Sequence, residues 1–148
     1  MNVTLLGTLS KVYRQWEFRK GRLGSVTNAR REFWSHLNDR CEKPSDPDAA
    51  ALIFGELVAN AMKYGREPIV AWVDYGQSHA MLYVEDSGDC FSLTQVGSAG
   101  PQQIGGRGIQ IASCLARSLR IDHLAGSRCR VTVELPARFA SEERAERA

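Results

Sequence analysis

Between Asp46 and Gly65 the chain carries one helix that is apolar around most of its circumference, and such a helix needs neighbours on several sides to be stable. Asp46 caps it, Pro47 suits its first turn, and Gly65 followed by Pro68 ends it. Ile53, Phe54, Leu57, Val58 and Ala61 take up much of its surface. Glu56, Asn60 and Lys63 share what remains, an arc of about 60° at a helical turn of 3.6 residues. From the residues alone this polar stripe has two readings. It is the solvent side of the helix, helped by contacts between residues three and four apart, or it is a row of groups turned toward a ligand.

The helix has company on both sides. From Ser25 the positions Val26, Ala29, Phe33 and Leu37 step by three and four, which predicts an amphipathic helix ending near Asn38 to Cys41. Val12 to Arg19 reads as an edge strand. Ile69 to Tyr75 and Ala80 to Asp86 read as two antiparallel strands of central position, joined around Gly76 to His79. Phe91 to Gly105, with its glycines and Pro101, has no period and reads as a mobile loop. Gly106 opens a short helix striped by Ile109, Ala112 and Leu115 or Ala116. Ser118 to His123 and Arg128 to Leu135 close the chain as a hairpin, with Cys129, Val131, Val133 and Leu135 on a buried face and Arg130, Thr132 and Glu134 on a wet one. Helices and hairpins without strand-helix-strand alternation predict an α+β fold, a two-layer sandwich in which helices cover one face of a mostly antiparallel sheet.

The 148 residues suffice for one domain, residues 1–148, with a core over about 12–135 and a charged tail, 137–148, expected to fray. Nineteen Lys and Arg against 17 Asp and Glu give no electrostatic case for nucleic acid or an anionic membrane. The basic stretch from Lys11 to Arg31 reads as a solvated face, with a docking patch for an acidic protein as the alternative. No apolar run approaches the ~20 residues of a membrane span and Met1 to Ser10 does not resemble a signal peptide, so a cytoplasmic location is expected. Cys41, Cys90, Cys114 and Cys129 form no C-x-x-C pair and have no histidine at zinc spacing, so free thiols are expected.

Three groupings carry chemistry. On the helix, Glu56 suits a base and Asn60, one turn on, offers a neutral oxygen to a metal, with Lys63 as a point charge for phosphate. Asp86 ends an apolar strand, where a carboxylate needs a donor such as adenine's exocyclic amine, and Gly88 lets a ring approach the backbone; an ordinary Asp-Ser-Gly turn is the plainer reading. Gly105, Gly106 and Gly108 open a helix whose first amides suit phosphate, and Arg107 adds a charge.

In order and spacing these groupings resemble the GHKL (Bergerat-fold) ATPases, and most of all the anti-sigma-factor serine/threonine kinases of bacteria. The likeness runs from about Val12 to Leu135, includes the Ser25-Val26-x-x-Ala29-Arg30 helix start, and extends to Gly126-Ser127 as a final small-residue box. It implies a Bergerat sandwich, ATP and Mg²⁺ as cofactors, and Glu56 as the catalytic base. It also implies Asn60 as the metal ligand and Lys63, Asp86, Gly88, Gly105, Gly106, Arg107, Gly108 and Ser127 at the nucleotide. The partners it implies are a sigma factor and an anti-anti-sigma protein of the STAS type; it allows a homodimer and involves neither direct nucleic-acid contact nor a membrane. One departure is Asp89-Cys90, where the family has a glycine two residues after Gly88: a side chain there is expected to crowd the base pocket. The alternative function is therefore a degenerate, non-catalytic module of the same fold. A two-component histidine kinase domain fits less well, since His36 lies on a helix with no coiled-coil hairpin about it.

Overall fold

The computed structural model describes residues 2–5, 8–75, 78–88 and 106–139, and for residues 2–13, 23, 106 and 107 it describes the backbone alone. The elements run β1 (Asn2–Leu5), β2 (Thr8–Phe18), α1 (Leu23–Arg40), β3 (Cys41–Glu42), α2 (Pro47–Tyr64), β4 (Ile69–Asp74), β5 (His79–Asp86), α3 (Gly106–Leu115), β6 (Ser118–Leu124) and β7 (Arg128–Phe139). The described strands form one seven-stranded sheet in the order β1-β2-β4-β5-β7-β3, with β6 also paired to β7. Every pairing is antiparallel. With the helices packed on one face, this is the two-layer α+β sandwich that the hairpin pattern predicts.

Burial of α2 follows from its composition. Ala50, Ile53, Phe54, Leu57, Val58 and Ala61 are buried. The helix lies between α1 and α3 and against β4, β5 and β7. Asp46 caps it by accepting from the Ala49 amide at 3.0 Å. At the other end the Gly65 amide donates to the Ala61 carbonyl at 2.8 Å. Aromatic rings join α1, α2 and β2: Phe33 stacks on Phe54 at 4.5 Å, and Trp16 meets Phe54 edge-on at 5.1 Å. His36 is buried on the inner side of α1, which removes it from consideration as a surface phosphoacceptor. In α3, Ile109 and Ala112 are buried, Ala116 packs against the core, and Leu115 is exposed. Arg14, Arg19, Lys20, Arg22, Arg30 and Arg31 are all exposed, as a solvated basic face requires.

Three sequence expectations change. The strand expected at an edge over Val12 to Arg19 is β2, which begins at Thr8 and pairs with both β1 and β4, so it lies inside the sheet. β7 runs on to Phe139, and both Ala137 and Phe139 are buried, because β3 pairs with its far end through Cys41 and Glu42. Residues 140–148 of the tail, and the loop expected over 91–105, lie outside the described residues. The face of β7 expected to be wet is partly covered: Thr132 is buried, and the Arg130 side chain retains only 13% of its exposure. Trp72 on β4 stacks on Tyr83 of β5 at 5.0 Å, and the Arg130 guanidinium lies 5.5 Å from the Trp72 ring. Beneath it the buried Glu85 carboxylate accepts from Arg130 at 3.0 Å and from Arg128. Long side chains thus cover this face in place of a second layer of helices.

Candidate functional site

The sheet and the helix layer part at the C-terminal end of α2, leaving a cavity of about 340 Å³. From α2 and the residues after it come Leu57, Asn60, Ala61, Tyr64, Gly65 and Arg66. The end of β5 and the turn beyond contribute Val84, Asp86 and Gly88, α3 contributes Ile109, and the last hairpin contributes Ile121, Cys129 and Val131. Most of this lining is apolar, so the few polar groups stand out.

Strand periodicity delivers Asp86. Ala80, Leu82 and Val84 point into the helix layer, and Asp86 continues that alternation at the strand end, opposite Cys129 of β7. Its carboxylate accepts from the Gly88 amide at 2.6 Å and from the Arg66 amide, while the Ser87 amide donates to the Arg66 carbonyl at 2.9 Å. Burial pushes the Asp86 carboxyl above its ordinary range; the two amide bonds and Lys20 pull the other way, and Glu85 adds to the rise. Two glycines make room for it. A Cβ at Gly65 would sit 2.6 Å from Asp86 Cγ, and one at Gly88 would sit 2.8 Å from Oδ1.

The polar stripe of α2 faces α3. A Cβ on Gly108 would lie 3.0 Å from Glu56 Oε2, so the first turn of α3 rests directly on the Glu56 carboxylate. Asn60, one turn later, opens into the cavity beside Ile109. Of the two sequence readings, the solvent side does not hold for Glu56 and Asn60, both half-buried, though it does hold for Lys63. Lys63 is exposed, with its Nζ 5.1 Å from the Tyr64 ring centroid, and does not line the cavity.

The structure therefore gathers Asn60, Asp86 and Gly88 around one cavity and sets Glu56 and Gly108 at its edge. It does not bring Ser127 there: that residue is exposed in the β6–β7 turn with φ 57°. Gly106 begins α3, the Arg107 side chain falls outside the description, and Gly105, Asp89 and Cys90 lie outside the described residues. Sequence reasoning missed Gly65 as a packing surface for Asp86, having read it as a helix terminator. It also missed Tyr64 and Arg66 at the rim and Cys129 in the wall. Among the described residues no three His, Cys, Asp or Glu side chains converge as a metal cage.

The cysteine expectation is corrected in part. Cys41 and Cys114 are free, but Cys129 is disulfide-bonded. No sequence spacing announces such a bond.

Neither a family model nor a curated protein matches the chain. Among solved structures it is similar to the Acinetobacter baumannii histidine kinase AdeS, at 15% identity over 83% of this chain and 67% of that one, with a TM-score of 0.48. At that level of similarity nothing about the chemistry of this chain follows.

Proposed function

We propose that the chain is a nucleotide-binding domain of the GHKL type, acting as an ATP-dependent anti-sigma serine/threonine kinase. In this reading it phosphorylates a STAS-type anti-anti-sigma protein and sequesters a sigma factor. The observation that supports it most is a half-buried carboxylate, Asp86, in the wall of a mostly apolar cavity of about 340 Å³, a volume within the range that encloses small ligands. A carboxylate already held by two backbone amides keeps lone pairs for a donor such as adenine's exocyclic amine, and Val84, Ile109 and Val131 suit the faces of a flat ring. The backbone start of α3 offers amides to phosphate.

Asn60 is the residue that would hold Mg²⁺, through its amide oxygen, and a single protein ligand suits an ion that keeps waters and shares phosphates. Bound there, the ion would neutralise phosphate charge. Glu56, one turn before Asn60, takes the proton from a serine hydroxyl as its oxygen bonds to the γ-phosphorus and the bond to ADP breaks. Packing against Gly108 orients that carboxylate. A second reading, a module that holds regulatory proteins without catalysis, is favoured by the outward-turned Lys63 and by the disulfide in the cavity wall.

Thermal melts with ATP, ADP and GTP, each with and without Mg²⁺, test the proposal. A ligand at one hundred times its Kd stabilises by about 2.7 kcal/mol, roughly 8 °C for a domain of this size. Stabilisation by ATP and ADP beyond that by GTP is expected. No shift with any of the three, up to millimolar ligand, would overturn the proposal, and a shift without phosphate transfer to serine would favour the second reading.

A further inference from the structure

Ser45, Asp46, His79, Arg117 and Arg138 line, with two prolines, an open hollow of about 540 Å³. Asp46 stands before the first turn of α2, whereas the Asp86 cavity opens at the last, and 18 residues of helix hold the two about 27 Å apart. Backbone pairing assembles the hollow. β5 begins at His79, which pairs with Arg138 of β7, and Arg117, just before β6, donates its amide to the Glu134 carbonyl at 2.9 Å. The turn into α2 closes the remaining side: the Arg138 amide donates to Ser45 Oγ at 2.8 Å, and the Asp46 amide to the Pro136 carbonyl at 2.8 Å. Two guanidiniums and an imidazole thus share one wall. Arg117 Nε donates to Glu134 at 3.0 Å, but Glu134 does not line the hollow and the Arg117 side chain keeps 51% of its exposure. Arg138 is less well satisfied. Its Nε is buried without an acceptor, and Glu42, also outside the lining, stands 3.6 Å from a terminal nitrogen, longer than a hydrogen bond. Asp46 is the one acid among the described lining residues, and its carboxylate is already engaged by the Ala49 amide.

We propose that this hollow binds a phosphate group, free or as a monoester, between the Arg117 and Arg138 guanidiniums, with His79 as a third donor. Guanidinium forks match a tetrahedral oxyanion in both charge and geometry, and a donor left without an acceptor in a wall is one that such an oxygen satisfies. His79 makes the site respond to pH. Burial lowers its pKa, Arg117 and Arg138 lower it further, and Glu134 opposes them. The charged groups about the ring are therefore Arg117 before β6, Glu134 and Arg138 on β7, and Asp46 before α2. An anion seated between the arginines offsets their field at the imidazole, so the bound state takes up a proton on His79. Binding then tightens as pH falls. The walls need no rearrangement, because backbone bonds already fix Arg138, Ser45 and Asp46 relative to one another. This site makes no use of the Asp86 cavity and does not rest on the function proposed above.

The experiment titrates the full chain with inorganic phosphate and with O-phosphoserine at constant ionic strength, following the His79 imidazole and the arginine guanidinium signals by NMR. With donors this exposed, a Kd of about 1 mM is expected. Binding of the ion alone, the ester alone or both supports the site and identifies the source of the phosphate. Arg138→Gln should weaken binding at least about tenfold, and Arg138→Lys, which keeps the charge but not the fork, at least about threefold. Arg117→Gln repeats the test should Arg138→Gln fail to fold. Sulfate, whose own charge is constant over the range, isolates the imidazole: it should bind about fivefold more tightly at about pH 5 than at about pH 8, and His79→Gln should remove the difference. No His79 shift with either phosphate form up to about 20 mM overturns the proposal. Binding that survives loss of the Arg138 or Arg117 guanidinium unchanged, or sulfate affinity that does not vary with pH, overturns it as well.

Discussion

Gly65→Ala is the sharpest test of the geometry around Asp86, because the usual explanation for a glycine at a helix end does not apply. Gly65 has φ −84°, which alanine adopts without strain, so any cost must be steric. A Cβ there would lie 2.6 Å from Asp86 Cγ, 2.7 Å from Asp86 Oδ1 and 2.7 Å from the Ala61 carbonyl oxygen, where ordinary contact begins at 3.4 Å. The shortfall is about 0.8 Å. Asp86 can swing aside, but the Ala61 oxygen belongs to α2 and also accepts the bond from the Gly65 amide that closes the helix. Overpacking of this kind costs about 1–3 kcal/mol, and the reduced freedom of the unfolded chain returns about 0.4–1 kcal/mol.

The net loss should be about 1–2 kcal/mol, a Tm lower by roughly 4 °C. Displacing the carboxylate should also weaken ATP binding by about 10- to 100-fold, the size of one lost hydrogen bond to a charged group. Thermal melts and calorimetric titration measure both. Gly24→Ala is the control: nothing lies within 4 Å of a Cβ at that position in the first turn of α1. It should leave stability unchanged or raise it by up to about 1 kcal/mol. A Gly65→Ala protein that melts with wild type and binds ATP equally well would refute the packing of Gly65 on Asp86.

Glu56→Gln should keep ATP affinity within about twofold while lowering phosphate transfer at least ~100-fold, since it removes a base and leaves the cavity lining intact; equal losses in binding and turnover would contradict that division. Asp86→Asn should erase discrimination between ATP and GTP, read as the difference between their thermal shifts. The same variant carries a pH signature. Because burial raises the Asp86 carboxyl above its unfolded value, its contribution to stability is present below the unfolded pKa and lost as pH rises through the folded one. Asp86→Asn should therefore gain Tm over wild type at neutral pH, with the gain fading as pH falls toward 4; a pH-independent difference would tell against it. Arg130→Ala should cost about 3 kcal/mol in urea denaturation, because it uncovers Trp72 and leaves buried Glu85 with Arg128 as its remaining cation. A loss below about 1 kcal/mol would place that pair among weak surface bridges.

Local rules carried the layers of this fold. The cap at Asp46, the stop at Gly65 and the apolar sweep of α2 are written within single turns of helix, and the hairpins within single strands, so each was legible from neighbours in sequence. What escaped was set by register. Nothing local says that residue 86 pairs with residue 129, and that one pairing puts a carboxylate, a disulfide and the last hairpin around the same space. The covered outer face escaped for the same reason: Val70, Glu85 and Arg130 form one cross-strand row, and Trp72, Tyr83 and Thr132 the next. An alternating strand looks half wet until its neighbours' long side chains are laid across it.

Gly65, Asp86 and Cys129 also show how one location serves two demands. The helix must end where the strand ends, so that Asp86 can accept from the Arg66 and Gly88 amides, and a glycine at the helix end keeps the two backbones close enough for those bonds. The same close approach leaves no side chain to fill the corner, and the unfilled corner is the cavity. Packing that would make this end of the sandwich more stable would close it. Asp86 is the clearest case, since burial disfavours its charge and, among the described residues, no salt bridge offsets the cost; Lys20 is the one described cation that acts on it, as the last of the groups that lower its pKa. A carboxylate held by two backbone amides, at a gap in a mostly apolar wall, is a local departure from the consistency that governs the rest of the chain, and such departures are where function concentrates.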